Sequence, residues 1–193
     1  MKVAILTSAL CLFSGLVSSR ALPAAEAEAS PAVLEARFTV VYTAAPSLMI
    51  PIKEESPNTA YGPTTLPVVQ RINGGKNIQT LLQYSFPAGY GGKSCRFSFA
   101  NPQTATGSLK VQLFTVGGTI TNYNTYWSRP YRDQYKGTFN TGKGTAEAIW
   151  DEVSPPTWPC PSVATTYNYE VVPQGDNDYA SWFIGSLVMQ VYY

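Results

Sequence analysis

The segment Asn77-Ile-Gln-Thr-Leu-Leu-Gln-Tyr-Ser-Phe86 decides the fold class. Ile78, Thr80, Leu82, Tyr84 and Phe86 fall on one row, with Asn77, Gln79, Gln83 and Ser85 on the other. Successive side chains of a strand point to opposite faces, so this alternation describes a strand with one buried and one wet face. The same period recurs on both sides of the segment. Phe38, Val40 and Tyr42 share a row, and Cys95, Phe97 and Phe99 alternate with Arg96 and Ser98. Leu109, Val111 and Leu113 alternate with Lys110 and Gln112, and Tyr167, Tyr169 and Val171 with Asn168 and Glu170. Breakers such as Gly74-Gly75, Gly117-Gly118 and Pro155-Pro156 stand between the runs. One-sided strands need a second sheet to cover them. The expectation is an all-β, antiparallel β-sandwich or jelly-roll-like single domain, with no sustained helical period after position 37.

Composition excludes several chemistries. The 193 residues include 13 Lys+Arg, 12 Asp+Glu and no histidine. Ser-His-Asp or Cys-His catalysis, histidine-ligated metals and an imidazole pH switch are therefore ruled out. A balanced charge lacks the basic stripe that nucleic acid requires, so no nucleic-acid partner is expected.

The chain begins with a short basic start, Met1-Lys2, followed by a largely apolar run to Val17. Ser19 and Ala21 then supply small residues at a cleavage point. That is the layout of a secretory signal peptide over residues 1–21, too short in its apolar part to span a bilayer. Loss of Lys2 and Arg20 leaves the exported chain slightly acidic. Residues 22–37 are rich in Ala, Glu and Pro and read as a flexible leader, and 38–193 as the sandwich. Ser47 to Leu66, punctuated by prolines, reads as a surface loop with at most an edge strand. Thr119 to Gly144, rich in Asn, Thr, Tyr and Gly, reads as the longest loop region, at one end of the sandwich. Leu187 to Tyr193 reads as a final core strand, with Val188, Gln190 and Tyr192 on its wet side. An interrupted apolar tail of this kind does not fit a lipid-anchor signal, so no membrane anchor is expected.

Cys11 leaves with the signal peptide, and the exported chain keeps Cys95 and Cys160. An even count in an oxidising compartment points to a disulfide between them; free thiols and pairing between chains are the alternatives.

The run Ser85-Phe-Pro-Ala-Gly-Tyr-Gly-Gly-Lys-Ser-Cys-Arg-Phe-Ser-Phe99 resembles the fungal But-two carboxy-terminal domain. Trp127-Ser-Arg-Pro130, Cys160-Pro161 and a last strand after Gly185 follow in the family's order. The resemblance covers roughly positions 38 to 193. It implies a secreted or surface β-sandwich without an assigned activity, agrees with the Cys95–Cys160 bond, and supplies no catalytic residues. The family takes its name from a yeast protein that binds an activating enzyme of a ubiquitin-like modifier. That partner is intracellular, whereas the leader here directs export, and it is not carried over.

Candidate chemistry is sparse. Asp176 and Asp178 are spaced like calcium-loop oxygens, but calcium takes six to eight, and a polar turn is the better reading. Asp151-Glu152 and Glu54-Glu55 are adjacent pairs, and neighbours on a strand point apart rather than across a substrate. No phosphate-binding loop or nucleophile elbow occurs, and no cofactor is implied. The aromatics are the stronger lead. Trp127, Arg129, Tyr131, Arg132 and Trp158 are the candidate ligand-contact residues, because flat rings beside polar groups stack on sugars. Against this, Trp127 and Trp158 are of the type that usually caps the ends of a core. The function expected is a non-enzymatic secreted domain that binds wall polysaccharide or an extracellular protein. A carboxylate-dependent polysaccharide hydrolase and a host-directed effector are the alternatives.

Overall fold

Gly75–Phe86 forms a twelve-residue strand in the computed structural model, which describes residues 39–100, 104–142, 149–151 and 156–193. The expected signal peptide and leader lie outside the described residues. The strand enters through Asn73-Gly74, both with positive φ (50° and 73°), the turn conformation that suits the twist of a two-residue hairpin.

Among the described residues thirteen strands run in chain order: β1 (Val40–Ala44), β2 (Leu48–Lys53), β3 (Val68–Ile72), β4 (Gly75–Phe86), β5 (Ser94–Phe99), β6 (Thr104–Thr106), β7 (Lys110–Gly117), β8 (Tyr131–Asn140), β9 (Ile149–Trp150), β10 (Thr157–Pro159), β11 (Thr165–Pro173), β12 (Asp178–Ser181) and β13 (Leu187–Tyr192). They build a four-stranded sheet ordered β1-β13-β5-β10 and a nine-stranded sheet ordered β6-β12-β3-β4-β11-β7-β8-β9, with β2 added to β4. Every described pairing is antiparallel. The chain is an all-β sandwich, as the alternation requires.

The inner rows of the two sheets meet in one core. Leu82, Tyr84, Phe86, Tyr169 and Val171 face Cys95, Phe97, Phe99, Leu187, Met189 and Val191. Burying each such side chain contributes roughly 1.5–3 kcal/mol. Rings interlock edge to face across the gap, with Phe97 at 4.8 Å from Tyr169 and 5.6 Å from Tyr84. The buried Tyr84 hydroxyl donates to the Leu187 carbonyl at 2.9 Å, so no polar atom of that ring is stranded. Cys95 and Cys160 form a disulfide, which ties β5 to the residue after β10.

The outer face of the large sheet carries a second, smaller core. Ile50, Ile52, Leu81, Val116 and Ile120 are buried together, with Leu48 and Tyr126 packed against them. The edge strand allowed within Ser47 to Leu66 is present as β2, and what differs from a surface loop is its burial. Leu48, Ile50 and Ile52 alternate as β2, and the prolines that mask the pattern are tolerated because, among the described residues, β2 pairs with β4 alone. Thr119 to Gly144 also differs from expectation, because Tyr131–Asn140 is a strand paired to β7. Register shifts near Phe114 disrupt its alternation, and Gly137 (φ 146°) accommodates the bulge. Finally, β13 has no wet side. Val188 and Tyr192 are buried and Gln190 half-buried, because β13 lies between β1 and β5 and Arg96 stacks 4.1 Å over the Tyr192 ring.

Candidate functional site

The connection from Gly118 to Pro130 is a fixed loop laid over the outer core. Ile120 is its apolar anchor. Asn124, nearly buried, accepts from the Thr121 amide at 2.6 Å and donates to the Ser128 carbonyl at 3.0 Å. Thr125 and Ser128 exchange backbone-to-hydroxyl bonds at 2.9 and 3.1 Å. The sheet holds the loop from below, because Asn168 donates to the Gly118 carbonyl at 2.8 Å. The turn after β2 holds it from the side, where the Trp127 amide donates to the Pro57 carbonyl at 3.1 Å. A loop bonded in this way presents its side chains at little ordering cost. Tyr123 is 82% exposed and Trp127 70% exposed.

From Trp127 a line of ring and charge contacts crosses the sheet. The Trp127 ring meets Tyr126 edge-on at 6.1 Å, and the Arg129 guanidinium lies 4.1 Å over Tyr126. Arg129 Nε stands 3.7 Å from Glu170 Oε1, and Arg132 Nε donates to Glu170 Oε2 at 2.7 Å. Arg132 in turn lies 4.7 Å over Phe114, whose ring meets Tyr135 at 5.4 Å. Glu170, 0% exposed, is the hinge pin of the line, and its Oε1 has no hydrogen bond. A buried carboxylate facing two guanidiniums fixes their planes, and Arg129 Nη1 also donates to the Tyr126 carbonyl.

The five candidate residues therefore separate. Arg129 and Arg132 converge on Glu170, and Trp127 stands beside them through Tyr126. Tyr131 follows the strand rule and turns away from Arg132. A Cβ added at Gly117 would lie 2.0 Å from its ring, so the ring occupies the space over that glycine with 70% of the residue exposed. Trp158 belongs to the other sheet, half-buried against Phe97 at 5.3 Å. The core-capping expectation therefore describes Trp158 and fails for Trp127. Alternation makes Glu170 only the wet member of a strand; its partners lie 38 and 41 positions away, beyond any local pattern. Tyr123, Tyr126 and Phe114 had no distinguishing spacing.

Most of the other described carboxylates are engaged elsewhere. Glu54 accepts from the Asn77 amide at 2.8 Å and its side chain at 2.7 Å, and these bonds hold its carboxyl below the usual range. Glu55 pairs with Lys76 and Asp151 with Lys110. Asp178 accepts from the Ser108 amide and hydroxyl, both at 2.6 Å, which is a turn clamp. Glu152 lies outside the described residues. Among the described residues no group of three or more His, Cys, Asp and Glu is placed to hold a metal.

A family model for the Ubiquitin 3 binding protein But2 C-terminal domain matches residues 44–184. The chain belongs to that family. No curated protein matches it. The matched span contains Phe86-Pro87, Cys95, Cys160-Pro161 and the whole Trp127-to-Tyr135 line, while β13 lies beyond it. Membership makes a But2 C-terminal domain of this sandwich, and the family description is that of a binding protein.

Proposed function

We propose that this But2 domain is exported and acts without catalysis, as a binding domain that grips an extracellular protein through the loop from Gly118 to Pro130 and the adjoining arginines. The observation that carries this reading is Trp127. A tryptophan 70% exposed on a loop whose backbone is fixed at both ends is a preformed anchor, and Trp, Tyr and Arg dominate protein interfaces. The loop's mixture of Tyr, Trp, Asn, Ser and Thr is also the composition of antibody contact loops, where rigid rings supply area and small polar residues adapt. The protein ligand class agrees with the family description. The signal-peptide pattern supports export, and the partner then lies in the wall or on a host surface, which includes the effector reading. The hydrolase reading gains no support, because Glu54, Glu55, Asp151, Glu170 and Asp178 are engaged by cations or donors rather than facing one another.

The test places a photo-crosslinking residue at position 127 or 123 in the tagged protein, expressed where it is native. Adducts to a defined extracellular protein at both positions, absent from a control at exposed Asp176 in the turn after β11, are the expected result. Adducts equally frequent at position 176 would overturn the loop as the contact surface. Recovery of the protein inside the cell would overturn export.

A further inference from the structure

A groove lined by none of the residues of this loop has the chemistry of a sugar site. Two hollows, each of about 440 Å³, open on either side of Ser47 and Ser85. That volume lies within the roughly 300–1,000 Å³ usual for ligand sites. The first lies between the start of β2 and residues Pro63 to Thr65, with Leu48 and Ile184 as its apolar surface. The second lies where Tyr42 of β1 meets Phe86 and Thr166. Ser85 Oγ donates to Ser47 Oγ at 3.3 Å, so the two hollows adjoin across one hydrogen bond. None of the residues that line them belongs to the Trp127 line.

The lining carries no charged side chain among the described residues. It carries hydroxyls instead, with Ser47, Thr65, Ser85 and Thr166 all exposed. The side-chain hydroxyls of Thr65, Thr166 and Tyr42 make no hydrogen bond to another described residue, and a hydroxyl both donates and accepts. The Tyr42 ring is held by stacking on Tyr90 at 4.9 Å and edge-on against Phe86 at 5.5 Å. Apolar rings and methyl-bearing walls beside unspent hydroxyls match a ligand that alternates C–H faces with hydroxyl groups. An anionic or cationic ligand would find no counter-charge.

We infer that this groove binds a neutral polysaccharide strand, so that the domain carries a glycan site separate from its protein-binding loop. The inference does not depend on the loop reading.

The experiment titrates the disulfide-bonded domain with laminarihexaose, chitohexaose and cellohexaose by calorimetry, with polygalacturonate and a neutral proline-rich peptide alongside. At least one neutral hexasaccharide should bind. Ser85→Arg and Thr166→Arg, both at exposed positions, should each weaken it about tenfold with unchanged thermal midpoints. Trp127→Ala should leave it intact. Saturation without any effect of the two groove variants, or loss on Trp127→Ala alone, would move the sugar to the loop and overturn the proposal. So would tighter binding of polygalacturonate, binding of the peptide instead, or no binding of any hexasaccharide up to millimolar concentration.

Discussion

Glu170 shows how one side chain can organise a surface without touching solvent. Its two guanidinium partners are unequal: Arg132 makes a hydrogen bond at 2.7 Å, and Arg129 only an ion-pair approach at 3.7 Å. Removing one partner of a buried charge leaves that charge undercompensated, a cost of roughly 3–5 kcal/mol when both are fully buried. Arg132 is about a third exposed, so Arg132→Ala should cost about 2–3 kcal/mol. Arg129→Ala should cost about 1 kcal/mol, for lack of that bond. Urea unfolding measures both, and equal losses would contradict the unequal geometry. The sequence offered Arg129 and Arg132 as candidates because charge beside aromatics is visible in a string. It could not offer Glu170, because which face a strand residue takes, and what later covers that face, is decided by distant chain.

At the scale of elements, alternation was readable wherever a strand stays in register and has one wet face. The rows of β4, β5 and β11 follow it closely. It failed where a bulge or proline interrupts the period, as in β8 and β2, and where both faces are covered, as in β13. Leu81 is the telling residue: it sits on the polar row of β4, yet it is buried in the outer core beneath the loop. A sheet face covered by a loop leaves only a scattered apolar trace. Ile50→Ala discriminates between the two readings of Ser47 to Leu66. In an exposed loop the change would be nearly silent, within about 0.5 kcal/mol. With Ile50 fully buried between β4 and the loop, it should cost about 2–4 kcal/mol by urea unfolding. It should also speed hydrogen exchange at Ile120 and Trp127, which rest on the same outer core or beside it.

The whole molecule joins sequence-distant parts, and its stability follows from those joins. The disulfide closes 65 positions, and in the chain-entropy account its removal costs roughly 4 kcal/mol. The Cys95→Ala/Cys160→Ala pair should therefore lower the urea midpoint strongly, whereas in the unreduced protein Cys95 and Cys160 should take up no alkylating reagent. The dependence on pH has a shape that composition and burial set together. There is no histidine, and both described cysteines are paired, so no side chain has an ordinary pKa near neutrality. Burial pushes the phenols of Tyr84 and Tyr169 well above their ordinary value of 10. A raised folded pKa stabilises fully below the unfolded value, and that contribution drains away as pH climbs past about 10 toward the folded value. On the acid side Glu54 is lowered by its bonds to Asn77, so its smaller contribution holds above the unfolded value near 4.5 and fades as pH falls through the folded one. Unfolding free energy should be flat from about pH 6 to 9, dip modestly below about pH 4.5 and fall steeply above about pH 10. Tyr84→Phe should soften the alkaline fall, because it removes one of the two buried phenols. Urea midpoints across this range measure the curve. A transition centred between pH 6 and 7 would contradict it, since the chain holds no side chain that ordinarily titrates there.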